Sequence, residues 1–338
     1  MYRKMSLIIP VFIPHEGCPH ACVFCNQHSI SGRTGGPIDP DEVRAIVHTW
    51  LARCRRERER VQVGFYGGSF TALPIQRQGE LLGAAEGFLA REEVHSLRIS
   101  TRPDCIDPAT VQRLREARVA TVELGVQSLD DRVLRACGRG HTARHVREAV
   151  TCLREGGMEV GLQLMLGLPG QTFLSLMRTA REAAALKPDF VRIYPVLVLR
   201  GSRLERDYTE NRYRPLTLSR AVAQSAWMKD FFLSRAIPVV RLGLQAGPEL
   251  EKNLIAGPYH PSFGEMVDSR RMLRRTRRLL AAAPPGKVIL EINGKDRSIF
   301  HGHRSANMER LTGLGLLDRF TLRTSATRPR GTISISAP

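Results

Sequence analysis

Short apolar runs alternate with longer segments of helical pattern over residues 7–198, and this alternation limits the possible folds more than any other feature. The runs that predict strands are LIIPVFIP, VQVGFYGG, SLRISTRP, TVELGVQS, VGLQLMLGLP and FVRIYPVLV. Helices are predicted at 40–58, 74–91, 108–117, 142–155 and 172–186, several of them opening with Asp, Thr or Pro. Such alternation is typical of βα units around a parallel sheet. We therefore predict an α/β fold, a partial (β/α)6 TIM-like barrel.

The pattern becomes irregular after Leu199. Another helix is predicted near 219–234, a basic helix near 263–283, and a strand in the run KVILEING. A chain of 338 residues is long enough to bury a barrel core together with a smaller second part. We therefore expect a barrel at 1–199 and a smaller α+β C-terminal extension at 200–338, which is the expected substrate-related region.

Several features bear on the compartment. No stretch approaches the roughly 20 consecutive apolar residues that a membrane-spanning helix needs, and the first residues show no small-residue cleavage site. Three of the seven cysteines fall within eight residues, which suits metal ligation in a reducing compartment better than a disulfide framework. We expect a cytoplasmic protein with no membrane partner.

The formal net charge of +18 is compatible with a nucleic-acid partner, because a basic surface releases counterions when it binds phosphates. Only six of the 51 cationic residues are Lys, however, and a bias toward Arg can arise from coding composition alone. Charge by itself therefore does not identify a partner.

The sequence EGCPHACVFCNQ places Cys18, Cys22 and Cys25 at the spacing C-x3-C-x2-C. Thiolates hold iron–sulfur clusters, and three cysteines leave one iron of a four-iron cluster open to another ligand. A zinc site is the alternative, because three histidines lie nearby in the sequence. They are His15, His20 and His28.

This spacing, with Phe24 before the last cysteine, resembles the signature loop of the radical S-adenosylmethionine (SAM) superfamily. In that superfamily the loop follows the first barrel strand, and the second strand ends in a glycine pair whose backbone approaches the methionyl amine. Here the pair is Gly67–Gly68, followed by Ser69. Glycine suits such an approach because it has no side chain to hold a ligand away. The resemblance implies a [4Fe-4S] cluster on the three cysteines, with S-adenosyl-L-methionine bound beside it.

Further motifs resemble the radical domain of the Elongator catalytic subunit family and oxygen-independent coproporphyrinogen III oxidase. They are FYGGSFTALP, STRPD, VELGVQSLDDRVLRACGRGHT and MLGLPGQT. The resemblance implies that Thr101, Gln127 and Arg139 belong to the SAM pocket. It also aligns Gln163 with an aspartate of the oxidase, so that a carboxylate contact to the nucleoside is replaced by an amide or lost.

The resemblance implies an enzyme in which one electron from the reduced cluster breaks the S–C5′ bond of SAM and yields a 5′-deoxyadenosyl radical. A one-electron reductant such as flavodoxin or ferredoxin is the expected partner. Because the Elongator family acts on RNA, tRNA or another RNA is the first candidate substrate. Two alternatives stay open: a radical enzyme acting on a small molecule or tetrapyrrole, and a non-catalytic iron–sulfur protein on the same fold.

A strongly basic segment, SRRMLRRTRR, occupies 269–278 of the expected C-terminal extension. As a helix it would present Arg271, Arg274 and Arg278 to the phosphates of an RNA backbone. The alternative is a solvated basic face whose apolar stripe packs on the barrel. The chain departs from the Elongator family in the spacing of its first two cluster cysteines, which lie farther apart there.

Overall fold

The computed structural model describes residues 7–31, 36–53 and 60–336. Its strands are β1 (Leu7–Phe12), β2 (Val61–Tyr66), β3 (Ser96–Thr101), β4 (Val119–Gln127), β5 (Glu159–Leu166), β6 (Phe190–Pro195), β7 (Val198–Leu199), β8 (Val239–Leu242), β9 (Leu254–Ala256), β10 (Val288–Asn293), β11 (Phe320–Ser325) and β12 (Ile333–Ser336). Its α-helices are α1 (Gln27–Ser31), α2 (Pro40–Arg53), α3 (Ile75–Gly83), α4 (Glu86–Ala90), α5 (Pro108–Glu116), α6 (Asp131–Ala136), α7 (Ala143–Glu155), α8 (Phe173–Ala185), α9 (Arg203–Thr209), α10 (Leu218–Leu233), α11 (Pro248–Lys252), α12 (Phe263–Ala282), α13 (Arg297–His301) and α14 (Ala306–Thr312).

A curled parallel sheet forms a half-barrel. Within the described ranges it has seven strands in the order β1-β2-β3-β4-β5-β6-β8. This arrangement confirms the predicted α/β fold and partial TIM-like barrel. The strand β8 is additional to the six that the sequence predicts, and it pairs with β6 in parallel. The helix predicted at 74–91 is two helices, α3 and α4, and the end of the one predicted at 40–58 lies outside the described residues.

Apolar side chains of the strands form the core of the half-barrel. Five of them, one on each of β1 to β5, have no exposed surface: Ile9, Val63, Ile99, Val122 and Leu162. Because every strand of this sheet runs in the same direction, the loops that follow the strands gather at one end. Side chains on those loops can therefore meet although they are far apart in the sequence.

Polar caps fix the starts of several barrel helices. Asp107 accepts a hydrogen bond from the Thr110 N–H at 2.7 Å, directly before Pro108 at the first position of α5. Thr142 and Thr172 cap α7 and α8 with capping boxes. These caps are the physical reason for the helix starts near 108, 142 and 172 that the sequence predicts.

The chain forms two compact units. One contains the chain up to Leu216 together with Phe232–Pro258, and the other contains Thr217–Phe231 and the chain from Tyr259 onward. This division differs from the expected boundary after Leu199. The reason is that β8 and β9 come later in the chain and yet pair with β6 and β7.

The second unit has its own core. Within the described residues its sheet has the order β11-β10-β12, and apolar side chains of α12, α13 and the sheet pack together. Among them are Met272, Leu280, Leu290, Ile292 and Phe300. The α+β character predicted for the C-terminal part is thus present here. No helix in the described ranges combines the length and the apolar character needed to cross a bilayer.

Candidate functional site

The three cysteines of the predicted cluster motif lie on the loop that follows β1. Cys22 is buried, Cys25 is half-buried and Cys18 is exposed. Burial raises the pKa of the Cys25 thiol to about 12. The negative charge of Cys22 is the second cause, and that of Cys18 raises the pKa further. The three thiols lie on one short loop and can act as one set of ligands.

Glycines allow the cysteine loop to pack against the end of β2. A Cβ on Gly17 would lie 2.3 Å from the Ser69 carbonyl oxygen, and a Cβ on Gly68 would lie 2.4 Å from the Glu16 carbonyl oxygen. The Ser69 N–H donates to that Glu16 oxygen at 2.9 Å. Gly67 has a φ of +90°, which favours glycine. The predicted glycine pair therefore holds the cysteine loop in place.

Arg139 is buried beside the cysteine loop. Its Nη1 donates to Cys22 Sγ at 3.2 Å, and its Nη2 donates to the Gly125 carbonyl oxygen at 2.5 Å. Arg102 holds Arg139 in turn, because its Nη2 donates to the Arg139 carbonyl oxygen at 2.6 Å while the same guanidinium pairs with Asp104. Sequence reasoning noted the motif STRPD but assigned no role to Arg102 or Asp104.

Gln127 ends β4 in a strained position. Its φ of +63° is uncommon for a residue other than glycine. The pairing of β4 with β5 shifts between Leu124 and Gln127, and such bulges often redirect side chains beside active sites. A Cβ on Gly125 would lie 3.2 Å from side-chain nitrogens of both Gln127 and Arg139, so these two side chains are neighbours.

Two buried atoms of this pair lack partners. Within the described residues, Gln127 Oε1 and Arg139 Nε make no hydrogen bond. His141 Nδ1 is also buried, and it too makes no hydrogen bond within those ranges. Buried polar atoms are normally hydrogen-bonded, so an acceptor and a donor left open here fit a polar ligand.

Ser69 and Thr101 join the ends of β2 and β3. Their hydroxyl oxygens are 3.2 Å apart, and Thr101 Oγ1 is 2.7 Å from Thr71 Oγ1. The Arg102 N–H also donates to Ser69 Oγ at 3.3 Å. The structure thus brings Ser69 and Thr101 to the same end of the sheet as the cysteines, where they bond to each other.

A family model described as the Radical SAM superfamily matches residues 12–183, which is 172 of the 338 residues. The chain belongs to the radical SAM superfamily. A second model, the Radical_SAM C-terminal domain, matches residues 188–274. The predicted resemblance is confirmed, and the chain is a radical SAM enzyme.

Several relatives of this radical SAM protein cover much of its length. An uncharacterized protein of Methanocaldococcus jannaschii is 28% identical over 265 residues, which cover 73% of this chain and 78% of that protein. The tRNA uridine(34) acetyltransferase of Dehalococcoides mccartyi is 31% identical over 247 residues, which cover 63% of this chain and 54% of that protein. The chain therefore spans about half the length of that relative.

A solved structure supports the fold. The structure of the archaeal Methanocaldococcus infernus Elp3 with an N-terminal deletion has a TM-score of 0.63 and 22% identity. The similarity covers 80% of this chain and 63% of that chain. At this level of identity it speaks to the radical SAM fold alone.

Membership of the radical SAM superfamily implies a [4Fe-4S] cluster and S-adenosyl-L-methionine. The donor set of this chain fits both, with neighbouring thiols on one side and the open atoms Gln127 Oε1 and Arg139 Nε on the other. In the described ranges, no three His, Cys, Asp or Glu side chains are gathered closely enough to hold a single metal ion. A four-iron cluster differs in that each thiolate binds a separate iron.

Gln163 lies on β5, paired with Arg192 of β6. The next residue, Leu164, pairs with Gln127, so Gln163 lies close to the level of the candidate pocket. Its side chain is half-buried. A contact between Gln163 and the nucleoside stays a prediction.

Sequence reasoning missed a buried ionic network among the strands. Glu123 of β4 accepts hydrogen bonds from Arg98 Nη1 at 2.8 Å and from Arg192 Nη2 at 2.9 Å. The Tyr66 hydroxyl donates to the same carboxylate at 3.2 Å, and Arg98 also bonds to Gln62. The network ties β2, β3, β4 and β6 together, and Tyr66 directly precedes the glycine pair.

The basic helix α12 divides its arginines between two surroundings. Arg271 is buried and pairs at 2.8 Å with both Asp230 and Asp268. Its guanidinium is thus neutralised inside the second unit, and the expectation that Arg271 contacts phosphate is not supported. Arg274 and Arg278 instead line an open groove of about 650 Å³.

Proposed function

We propose that this radical SAM enzyme acts on RNA, with tRNA as the first substrate to test. In this proposal Cys18, Cys22 and Cys25 hold the [4Fe-4S] cluster. The SAM pocket is formed by Gly67, Gly68, Ser69, Thr101, Gln127, Arg139 and Gln163. The observation that carries the cofactor assignment is the pair of open buried atoms, Gln127 Oε1 and Arg139 Nε, beside the thiol loop.

When bound, the cluster and SAM supply one-electron cleavage of the S–C5′ bond and a 5′-deoxyadenosyl radical. The protein contributes position and shielding. Arg139 holds positive charge against Cys22, and Arg102 fixes Arg139 through its carbonyl oxygen. Phe24 is half-buried and packs against an apolar cluster that includes Val23, which shields part of this side of the loop from water.

The exposed position of Cys18 leaves one edge of the cysteine loop open to solvent. We infer that a one-electron reductant such as flavodoxin or ferredoxin approaches from this edge. The buried Cys22 makes the opposite side of the loop a poor route for an electron donor.

The groove on α12 supports the RNA assignment. It is lined by Arg274, Arg277, Arg278 and Arg319. In the described part of the chain the first three have no carboxylate within ion-pair distance, whereas Arg271 on the same helix has two. Unpaired arginines that share one groove are suited to phosphates, which they bind through charge-assisted hydrogen bonds. The name of the Dehalococcoides relative, a tRNA uridine(34) acetyltransferase, makes tRNA the RNA to test first.

The cofactor chemistry is tested after anaerobic reconstitution with iron and sulfide, by adding dithionite and SAM and measuring 5′-deoxyadenosine by chromatography. Product is expected from the unaltered chain and not from the Cys18/Cys22/Cys25→Ala variant. Cys152→Ala, a half-buried cysteine on α7, is the matched control and keeps the product. A fully loaded, reducible cluster that yields no product with or without tRNA contradicts the proposal.

The RNA substrate is tested by measuring tRNA affinity at several salt concentrations. An Arg274/Arg277/Arg278→Gln variant is expected to bind more weakly, and the slope of log K against log salt falls by about one for each phosphate contact removed. The matched control replaces the exposed arginines Arg115, Arg135 and Arg181 by Gln. If the unaltered chain has no tRNA affinity at low salt and still cleaves SAM, a small-molecule substrate replaces RNA in the proposal.

A further inference from the structure

A cleft in the second unit is separate from the α12 arginine groove. It has a volume of about 440 Å³, within the range of small-molecule sites. One wall is the start of α12 and the other is α13 with the turn that follows it. The lining residues are Ser262, Glu265, Met266, Ser269, Arg297, Ser298, His301, Gly302 and His303. All of them belong to the second unit.

The groups in this cleft suit a phosphate ester. Arg297 is exposed at its mouth, and within the described residues it has no carboxylate at ion-pair distance. His301 and His303 add two imidazoles, and the ring of His260 contacts His303 with centroids 4.8 Å apart. A guanidinium beside imidazole rings and serine hydroxyls provides several hydrogen-bond donors for phosphate oxygens.

The remaining groups indicate something larger than inorganic phosphate. Glu265 is the carboxylate of the lining, and it suits a ribose hydroxyl or an exocyclic amine as a hydrogen-bond acceptor. Met266 and the histidine rings offer surfaces on which a base can stack. A cleft of this volume accommodates a nucleoside as well as its phosphate.

The walls of the cleft are held in place by buried polar contacts. Asn307 Nδ2 donates to the Ser269 carbonyl oxygen at 3.0 Å and to the Phe300 carbonyl oxygen at 3.0 Å, which ties the two walls together. Asp296, directly before α13, is fully buried and accepts from the Gly331 N–H at 2.6 Å. The cleft is therefore formed before a ligand binds.

The turn at the rim of the cleft is strained. Gly302 has a φ of +82°, which favours glycine, and a Cβ there would lie in tight contact with Asn307, at 3.0 Å. The next residues include Arg304 and Ser305, with φ values of 50° and 60°. Consecutive non-glycine residues in the left-handed region are costly and are characteristic of ligand sites.

We propose that this cleft binds a nucleotide through its phosphate, with Arg297 and His303 as the principal contacts. The nucleotide is either free or the 5′-phosphorylated end of an RNA, since both present the same phosphate monoester. The proposal does not rest on the radical chemistry or on the α12 arginine groove.

Binding is tested on the full-length, cluster-loaded protein by calorimetry, with adenosine 5′-monophosphate as the probe and adenosine as the ligand that lacks phosphate. We expect the monophosphate to bind and adenosine to bind much more weakly. Arg297→Gln and His303→Ala each weaken binding of the monophosphate, Arg297→Gln by about tenfold or more. Arg297→Lys, which keeps the charge, recovers part of the affinity and shows that the loss does not come from misfolding.

Three controls assign the signal to the cleft. Arg310→Gln changes an exposed arginine of α14 outside the cleft and leaves the affinity unchanged. Gln127→Leu in the SAM pocket leaves it unchanged as well, which separates this cleft from the adenosine-binding pocket of the proposed function. Comparing a 5′-phosphorylated with a 5′-hydroxyl oligoribonucleotide decides between the free nucleotide and the RNA end. Absence of binding, equal binding of adenosine, or full affinity in Arg297→Gln overturns the proposal.

Discussion

Gly68 shows at the scale of one residue how tightly the cysteine loop packs. A Cβ there would lie 2.4 Å from the Glu16 carbonyl oxygen and 2.6 Å from the Ile13 carbonyl oxygen, and backbone atoms cannot move aside cheaply. We expect Gly68→Ala to lower the free energy of unfolding by about 1–3 kcal/mol, as overpacking does. Urea unfolding of the apoprotein measures the change.

Gly79→Ala is the matched control for this substitution. Gly79 lies within α3, and a Cβ there meets nothing within 4 Å. Alanine is the better helix former, so this variant is expected to gain about 0.5–1 kcal/mol. Equal effects at the two glycines would show that the cysteine loop does not pack on Gly68 as the structure has it.

His141 gives a prediction about pH. Burial lowers the pKa of His141 to about 3, and the positive charge of Arg139 is the next largest cause. An unfolded histidine has a pKa of about 6.5. Between about pH 3 and about pH 6.5, the imidazole is therefore protonated in the unfolded state and neutral in the folded state. The free energy of unfolding should fall as the pH drops through this window, by up to about 1.4 kcal/mol per pH unit from this group.

His141→Gln should reduce that dependence on pH, measured by urea unfolding between pH 6.5 and 4.5. His48→Gln, at an exposed position on α2, is the variant with which the slope is compared. If His141→Gln keeps the full slope of the unaltered chain, the imidazole is not buried and neutral in the folded protein.

At the scale of the elements, the network around Glu123 joins the consecutive strands β2, β3 and β4 to β6, which comes after β5 in the chain. Glu123 is the shared carboxylate of Arg98 and Arg192, and its side chain is 3% exposed. Glu123→Gln removes the carboxylate that the two guanidinium groups share. Arg192 then has no carboxylate at ion-pair distance within the described residues, and Arg98 keeps only Glu159, 3.9 Å away. We expect the free energy of unfolding to fall by about 3–5 kcal/mol, the usual cost of breaking a buried ion pair from one side.

An exposed pair serves as the comparison for Glu123. Glu182 of α8 pairs with Arg147 of α7, and both side chains are about half exposed. Glu182→Gln should cost roughly 0–1 kcal/mol. Denaturant unfolding of both variants measures the two losses in the free energy of unfolding. Losses of similar size would mean that the Glu123 network is solvated.

The strands themselves carried a signal for this network. Each of the runs SLRIST, TVELG and FVRIYP has a single charged residue among apolar neighbours, and those residues are Arg98, Glu123 and Arg192. Period-two alternation indicates that such a residue faces the inside of the barrel. It does not indicate its partner, because partners depend on strand register. For the same reason, the contact between Arg102 and the Arg139 carbonyl oxygen was beyond sequence reasoning.

Motif order predicted the half-barrel and the position of the cysteine loop well, because both depend on local patterns. The phosphate role of Arg271 was predicted from helical charge alone, and the structure argues against it because Asp230 reaches Arg271 from another helix, α10. Asp268 lies three residues before Arg271, at the spacing of a helical ion pair. The sequence could therefore have indicated that a carboxylate, and not a phosphate, pairs with Arg271.

At the scale of the whole molecule, the strand order predicts which N-terminal fragments of the chain fold stably. A fragment ending at Leu199 lacks β8 and β9, which exposes the edge of β6 and removes the partner of β7. A fragment ending at Pro258 keeps every described strand of the barrel sheet. We expect the shorter fragment to aggregate or to melt at a lower temperature, because an unpaired inner strand is an open edge.

A fragment ending at Leu216 adds α9 but not β8, and it should behave like the fragment that ends at Leu199. Hydrogen exchange of the β6 amides distinguishes the fragments. If β6 is equally protected in all three, β8 contributes nothing to the sheet, and the boundary predicted from the sequence was the better one.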